Sequence, residues 1–320
     1  MCIRDRVGYA ADVELKALRA LSAVGDHHSF SAAARSLSTV QSNVSAHVAR
    51  LERELGVTLV DRENNQLTPE GALVTSRTLR IERELDALAS DLAALRDEVI
   101  GAVRLGVIGT TARWLVPLLL NHLAANHPGI ALTLLDGTTS VLLPRVAEGD
   151  LDLAVVSHAG NDPAISMESL FDEDLVLVVG TDHPLADRTQ VSVADLDGWE
   201  MILDVPGSRY RALLDERCAA AGVVLKPKAE IEGLRLIASL AFTGFGAAIL
   251  PASAAPFDGG DRWVALPITD IEGRTVGLAR RRKRMPSAAA RTVAQAIIDV
   301  VSESAAKQGG LRARSPQGGQ

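Results

Sequence analysis

The sequence predicts a multidomain chain: an all-α module closed by a short hairpin, a single long linker helix, and an α/β region in two halves. Three observations carry this. Residues 29–71 space their apolar and polar positions as two short helices joined by a tight turn. A seam of Ile81, Leu85, Leu88, Leu92, Leu95 and Val99 follows, its steps alternating between four and three without a miss. From Gly101 onward, short apolar runs alternate with helical patterns, the texture of a mainly parallel sheet with helices on both faces. With 320 residues, 47% of them apolar and 23% charged, the chain can hold two or three domains with cores of their own. Aromatic residues are only 3%, so those cores must be built from Ala, Val, Leu and Ile.

Taken in order, Val13–Val24 reads as a first helix with Leu15, Leu18 and Leu21 at helical spacing. Ser29 is a good N-cap for a short second helix of strong helix formers, Ala32, Ala33 and Ala34, with Leu37 one turn beyond Ala33. The pattern breaks at Ser38-Thr39, whose hydroxyls can cap the next helix. From Gln41, the residues Val44, Val48, Leu51 and Leu55 form one apolar stripe. The opposite face offers Gln41, Ser42, Asn43, Ser45 and His47, short or planar hydrogen-bonding groups that suit base edges in a major groove. A plainer reading of these residues, taken alone, is a solvated helix face. Gly56 is a C-cap, Val57–Val60 a short strand, Glu63–Gln66 a turn, Leu67-Thr68 a returning strand, and Pro69-Glu70-Gly71 the opening of another helix.

The runs SFSAAARSL, TVQSNVSAHVARLERELGVTLVDR and LTPEG together resemble the winged helix-turn-helix of LysR-type transcriptional regulators and span nearly that whole domain. The resemblance implies a DNA-binding domain over 7–71, with contacts expected from Ser31, Thr39, Gln41, Ser42, Asn43, Ser45, His47, Arg50 and Arg62. It also implies a linker helix over 72–100 through which two subunits dimerise. Pairing is what the seam suggests as well, since a helix this long cannot bury Ile81, Leu85, Leu88, Leu92 and Leu95 alone; the plainer alternative is that the helix packs on its own domain. Two residues depart from the family pattern. Ala46 stands where a basic residue is usual, which removes a phosphate contact, and Val60 replaces a usual Phe, which thins a small core.

Charge runs against a nucleic-acid partner. The net charge is −7, and residues 1–98 carry 12 Lys+Arg against 15 Asp+Glu, whereas a DNA-binding module normally shows a basic excess. Arg35, Arg50, Arg53 and Arg62 must therefore gather on one face, with two subunits binding together. The two cysteines, Cys2 and Cys218, lie far apart without metal spacing, so a reducing cytoplasm is expected. Met1–Arg6 lacks the apolar core of a signal peptide, and MCIRDR looks like translated sequencing adapter, so Cys2 carries no argument. The longest uncharged run, Leu236–Phe257, is interrupted by Gly244, Gly246, Pro251 and Pro256. Its part before Pro251 falls short of the ~20 residues a spanning helix needs. A buried helix, a glycine turn and a buried strand are expected there, and no membrane partner.

The α/β region is expected to contain strands at 103–108, 130–136 and 151–156, with helices at 110–126 and 138–148 between them. A second half follows: strands at 175–179, 199–203, 229–232 and 247–250, and helices at 208–221 and 234–242. Val276–Arg280 reads as a strand returning to the first half, and Ala288–Val301 as a last helix. Two α/β halves joined in this way resemble the periplasmic-binding-protein-like effector domain of the same family, over 101–302 with the second half at roughly 160–268. Residues 303–320, rich in Gln, Gly, Ser and Arg, are expected to be disordered.

Ligands of such folds sit beyond the carboxyl ends of the strands, between the halves. Gly109-Thr110-Thr111 opens a helix whose N–H groups and dipole favour an anion. Thr138 and Ser157 end the next two strands, the latter followed by His158, and Ser208-Arg209 opens a helix in the other half, where Arg209 could clamp a carboxylate. Thr110, Thr111, Thr138, Ser157, Ser208 and Arg209 are thus the expected effector contacts, although Thr110, Thr138 and Ser208 also read as plain N-caps. A small organic acid with an apolar body fits them best. The run Arg280–Arg284 reads as a solvated strand end, and His27-His28 as loop residues. No phosphate loop, nucleophile elbow or His/Cys cluster is present, so no enzyme, cofactor or metal is expected. The expected partners are double-stranded operator DNA, a small-molecule effector, further copies of the chain in a homodimer or homotetramer, and RNA polymerase if the protein activates. The rival reading is a small-molecule-binding protein or enzyme built on the α/β part, with the N-terminal region serving only assembly.

Overall fold

The computed structural model describes residues 13–157, 162–255 and 261–314. Residues 7–12, the adapter-like start with Cys2, His158 and the end of the expected tail from 315 lie outside the described residues. The chain divides into two compact units, Met1–Leu88 and Ala89–Gln320.

The first unit contains α1 (Leu15–His27), α2 (Phe30–Ser36), α3 (Gln41–Leu55), β1 (Val60–Asp61) and β2 (Gln66–Leu67). A long helix, α4 (Pro69–Ala94), then leads out of it. Ser29 caps α2 by accepting from the Ala32 amide, and Gly56 closes α3 in the left-handed conformation at φ 69°. Ser38-Thr39 does not cap α3: the N-cap is Val40, without a side-chain bond, and Ser38 instead makes the tight turn at φ 51°. Leu21 and Val24 of α1 meet Ala33 of α2 and Val44, Val48 and Leu51 of α3 in one core that Leu59 and Val60 complete. The expected strand at 57–60 is shorter. The Glu52 carboxylate takes the amides of Leu59 and Val60 at 2.9 and 3.2 Å, which fixes the chain before β1 begins. Gly71 is required where it stands, since a Cβ would lie 2.0 Å from the Leu59 carbonyl oxygen. α4 stops at Ala94, short of the expected Val99, in a turn where Asp97 takes φ 60°.

The second unit is built on a six-stranded sheet. Its strands are β3 (Gly101–Ile108), β4 (Ile130–Gly137), β5 (Leu153–Ser157), β6 (Ile165–Glu173), β12 (Arg274–Arg281) and β13 (Leu311–Ala313), in the order β13-β6-β12-β5-β3-β4. Only β3 with β4 and with β5 are parallel pairs; β12 runs antiparallel to both β5 and β6, and β13 antiparallel to β6. The sheet is therefore mixed, not mainly parallel. The cause is β12, which arrives from the other half and fills the slot between β5 and β6 from the opposite direction. Helices α5 (Gly109–Asn126), α6 (Thr139–Glu148) and α9 (Ala288–Ser304) pack with it.

The second half holds β7 (Leu175–Gly180) between β10 (Ala248–Pro251) and β11 (Trp263–Pro267), all antiparallel. A parallel pair, β8 (Glu200–Leu203) with β9 (Lys226–Glu230), stands beside it with α7 (Arg209–Ala220) and α8 (Leu234–Phe242). β7 reads Leu-Val-Leu-Val-Val because both of its faces are buried. Val176 and Val178 face α8 and the first half's core, while Leu175, Leu177 and Val179 face Cys218 and Leu214 of α7.

Two segments join the halves, Glu173–Leu175 outward and 268–274 back, and they lie backbone to backbone. The Ile268 amide donates to the Leu175 carbonyl at 3.2 Å, and a Cβ at Gly273 would sit 2.1 Å from the Glu173 oxygen. The expectation of a disordered tail fails over 303–314. α9 runs to Ser304, and the chain turns back so that β13 pairs with β6, with Leu311 buried. Composition misled here, because the partners of Arg312 and Arg314 are far away in sequence. Among the described residues no helix is long and apolar enough to cross a membrane.

Candidate nucleic-acid interface and effector site

The stripe Val44, Val48 and Leu51 anchors α3 in its core, so the opposite face is presented outward. Gln41, Ser42 and Asn43 are exposed on its first turn, Ser45 and His47 are half-buried, and Ser31 and Thr39 are exposed beside them. Two of these groups are held in place by neighbours. The Ser31 hydroxyl donates to Gln41 Oε1 at 2.7 Å, and Asn43 Nδ2 donates to Thr39 Oγ1 at 3.1 Å. Gln41 thereby keeps its NH2 group, and Asn43 its amide oxygen, without a bond among the described residues.

The expected basic face is only partly assembled. Arg50 is bound to Glu54 at 2.7 Å and to Glu14 at 2.6 Å. The Glu54 hydrogen bond and the charges of Glu14 and Glu54 hold its guanidinium even more firmly protonated than usual. Arg62 donates to Glu52 at 2.8 Å and lies over the Phe30 ring, 4.9 Å from its centroid. Arg35 and Arg53 are exposed and make no ion pair among the described residues. Glu52 was not foreseen as a structural residue, yet it ties α3 to the hairpin through two amides and Arg62.

Along α4 the seam is uncovered in the single chain: Ile81 is 45% exposed, Leu85 42%, Leu88 55% and Leu92 54%, while Leu95 falls in the turn just past the helix end and is 83% exposed. Leu73 and Leu79 extend the apolar surface, at 60% and 44%.

In the second unit, the expected effector residues divide. Thr110 is buried, and its hydroxyl accepts from Arg274 Nη2 at 2.8 Å. Arg274 in turn donates from Nε to the fully buried Glu173 at 2.6 Å, and Glu173 accepts from the Ser253 amide at 3.1 Å. Thr111 is also fully buried, and its hydroxyl has no partner among the described residues; neither do the indole N–H of Trp114, one turn on, or the Ser253 hydroxyl. An unpartnered buried polar group costs about 1–3 kcal/mol. Thr138 is exposed and shares a bond with Ser140 at 2.9 Å, Ser157 is half-buried at the end of β5, and Ser208 caps α7 by accepting from Arg211 N at 3.0 Å. Arg209 is exposed on the first turn of α7, with no bond among the described residues.

The guanidinium that does reach the start of α5 was missed. Arg235, at the start of α8, bridges to Asp136 at the end of β4 at 2.5 Å, one residue from each half. Its side chain lies against Gly109, where a Cβ would meet Arg235 Cδ at 3.0 Å. No motif signalled it, because the pairing is set by how the halves face each other. Among the described residues, no cluster of His, Cys, Asp or Glu could hold a metal ion.

A helix-turn-helix with an outward polar face, joined to an α/β unit whose halves meet at a polar helix start, defines a DNA-binding regulator that responds to a small molecule. Residues 15–72 match the bacterial regulatory helix-turn-helix protein, lysR family, and residues 96–302 match the LysR substrate binding domain. The chain belongs to the LysR family: it is a DNA-binding transcriptional regulator with an effector domain, and it is not an enzyme. The rival reading is thereby set aside. A relative from Mycobacterium leprae, a probable hydrogen peroxide-inducible genes activator, is 32% identical over 295 residues, 89% of this chain and 93% of that one. The fold is shared with full-length CbnR in complex with its target DNA, at TM-score 0.69 and 22% identity over 91% of this chain and 100% of that one. The effector binding domain of QuiR in complex with shikimate aligns at TM-score 0.56 and 25% identity, over 64% of this chain and 99% of that one.

Proposed function

We propose that the protein acts in the cytoplasm, that it binds operator DNA as a homodimer or homotetramer, and that a small organic acid is its effector. In this reading residues 7–71 bind DNA, 72–100 pair subunits through the α4 seam, and 101–302 hold the effector. RNA polymerase is a further partner if the protein activates. Gln41, Ser42 and Asn43 read base edges, with Ser31, Thr39, Ser45, His47, Arg50 and Arg62 around them. The observation that carries the reading is the exposed first turn of α3, where Ser31 and Thr39 hold Gln41 and Asn43 in fixed orientations. Groups oriented before contact lose less freedom on binding.

An organic acid is favoured over peroxide, although several relatives are named for peroxide response. Peroxide sensing by a thiol needs an accessible thiolate. Cys218 is buried in the core of the second half, and burial pushes its thiol up to about 11. QuiR's complex with shikimate, a carboxylic acid, supports the organic-acid reading.

Asn43→Ala tests the DNA reading. It should cost ~1–3 kcal/mol on the cognate site and little on random DNA, measured by fluorescence anisotropy at one salt concentration. Equal losses on both would mean that this face does not read sequence.

A further inference from the structure

The ion pair between Arg235 and Asp136 has a property that a purely structural bridge does not need. It joins the two halves at the mouth of the expected effector site, yet its side chains are 68% and 37% exposed. Such a pair contributes little to stability, because water already solvates both ends. It is also crowded onto the start of α5. A Cβ at Gly109 would be a tight fit, 3.0 Å from both Arg235 Cδ and Asp136 Oδ1. The guanidinium therefore stands beside the positive end of an 18-residue helix, with Thr110 and Thr111 on its first turn. Two positive features turned toward one place would repel each other without an anion. Asp136 supplies one now.

We infer that Arg235 is the carboxylate-binding and specificity-determining residue of the effector site, and that Asp136 is an internal carboxylate which the effector displaces. This rests on the organic-acid reading and refines it, moving the clamp from Arg209 to Arg235. The effector's carboxylate takes the forked N–H groups of Arg235 and the free amides at the start of α5, and Asp136 turns to solvent. Breaking the exposed pair costs little, so exchange is open to a ligand of modest affinity. A neutral analogue has nothing to offer Arg235 in place of Asp136. A dicarboxylate of short reach is disfavoured, because its second charge would approach Asp136.

Two variants with opposite signs test the assignment. The full-length protein, Arg235→Ala and Asp136→Asn are screened by thermal shift with monocarboxylates, shikimate among them, each beside its uncharged amide. In Asp136→Asn the competing carboxylate is gone, and apparent affinity for an acid that shifts the unmodified protein should rise at least fivefold. In Arg235→Ala it should fall at least tenfold. Amides should shift none of the three. If the ion pair served only to hold the halves together, both variants would change affinity in the same direction, which overturns the inference. Equal shifts by acids in all three proteins would also overturn it, while leaving the organic-acid reading standing. No shift by any acid in any of the three overturns both. Circular dichroism melts without ligand, expected to agree within a few degrees, show that each variant is folded.

Discussion

Cys218 has its thiol turned into the second half's core, and a buried thiol held up near 11 carries almost no thiolate at neutral pH. Hydrogen peroxide should therefore leave the operator affinity of the unmodified chain and of Cys218→Ala alike, within twofold. A peroxide response present in the unmodified chain and absent in the variant would reverse that conclusion. Other residues were legible to different degrees, for physical reasons. Of the caps expected at Ser29, Thr110, Thr138 and Ser208, Ser29 and Ser208 accept a helix amide, because that bond spans three residues and is fixed by local chemistry; Thr110 lies inside α5 and takes Arg274 instead, and Thr138 bonds Ser140. Arg50 and Arg62 were expected at DNA and are found in ion pairs, because Glu14 and Glu52 reach them from elsewhere in the unit. Arg235 could not be read at all: its partner stands 99 positions away on the other half.

At the scale of elements, the seam of α4 was the plainest signal in the chain, since a repeat alternating four and three has few other meanings. A charge at its centre tests what covers it. Leu88→Asp would bury an unpaired carboxylate if the seam is an interface, at a cost of several kcal/mol. The variant should sediment as a monomer and lose operator affinity together. A folded, fully dimeric variant would show that Leu88 does not lie in the interface. The end of α4 was less legible: neither Gly nor Pro marks the turn after Ala94, and Asp97 supplies the left-handed residue. Strand β6 was missed because its polar positions alternate irregularly. β13 was missed because Leu-Arg-Ala between glycines has no local strand signal, and its register comes entirely from β6.

At the scale of the whole second unit, β13 lies along the strand that leads into the crossing between halves. The Asp174 amide donates to the Gly310 carbonyl at 2.9 Å, and Arg312 makes two bonds to the Asp174 carboxylate at 2.8 and 2.6 Å. Arg314 binds Asp172 at 2.7 Å; burial opposes the charge on that carboxyl, but the bonds from Arg314 and Thr275 still hold it below its ordinary range. Replacing Arg312 and Arg314 together with Ala should loosen this crossing. Hydrogen exchange at the Ser253 and Ile268 amides is expected to quicken about tenfold, some 1.4 kcal/mol of local stability, with β3 unchanged. Unchanged exchange at both amides would mean that β13 merely covers an edge. The same arrangement has a consequence for synthesis on the ribosome. The first unit is complete once residue 88 has emerged and can fold on local contacts. The six-stranded sheet cannot: β5 and β6 stay apart until β12 arrives, and β6 keeps an open edge until residue 313. A nascent or prematurely terminated chain would thus present a finished DNA-binding head on an unfinished body, with the bare edges of β5 and β6 for a chaperone to shield.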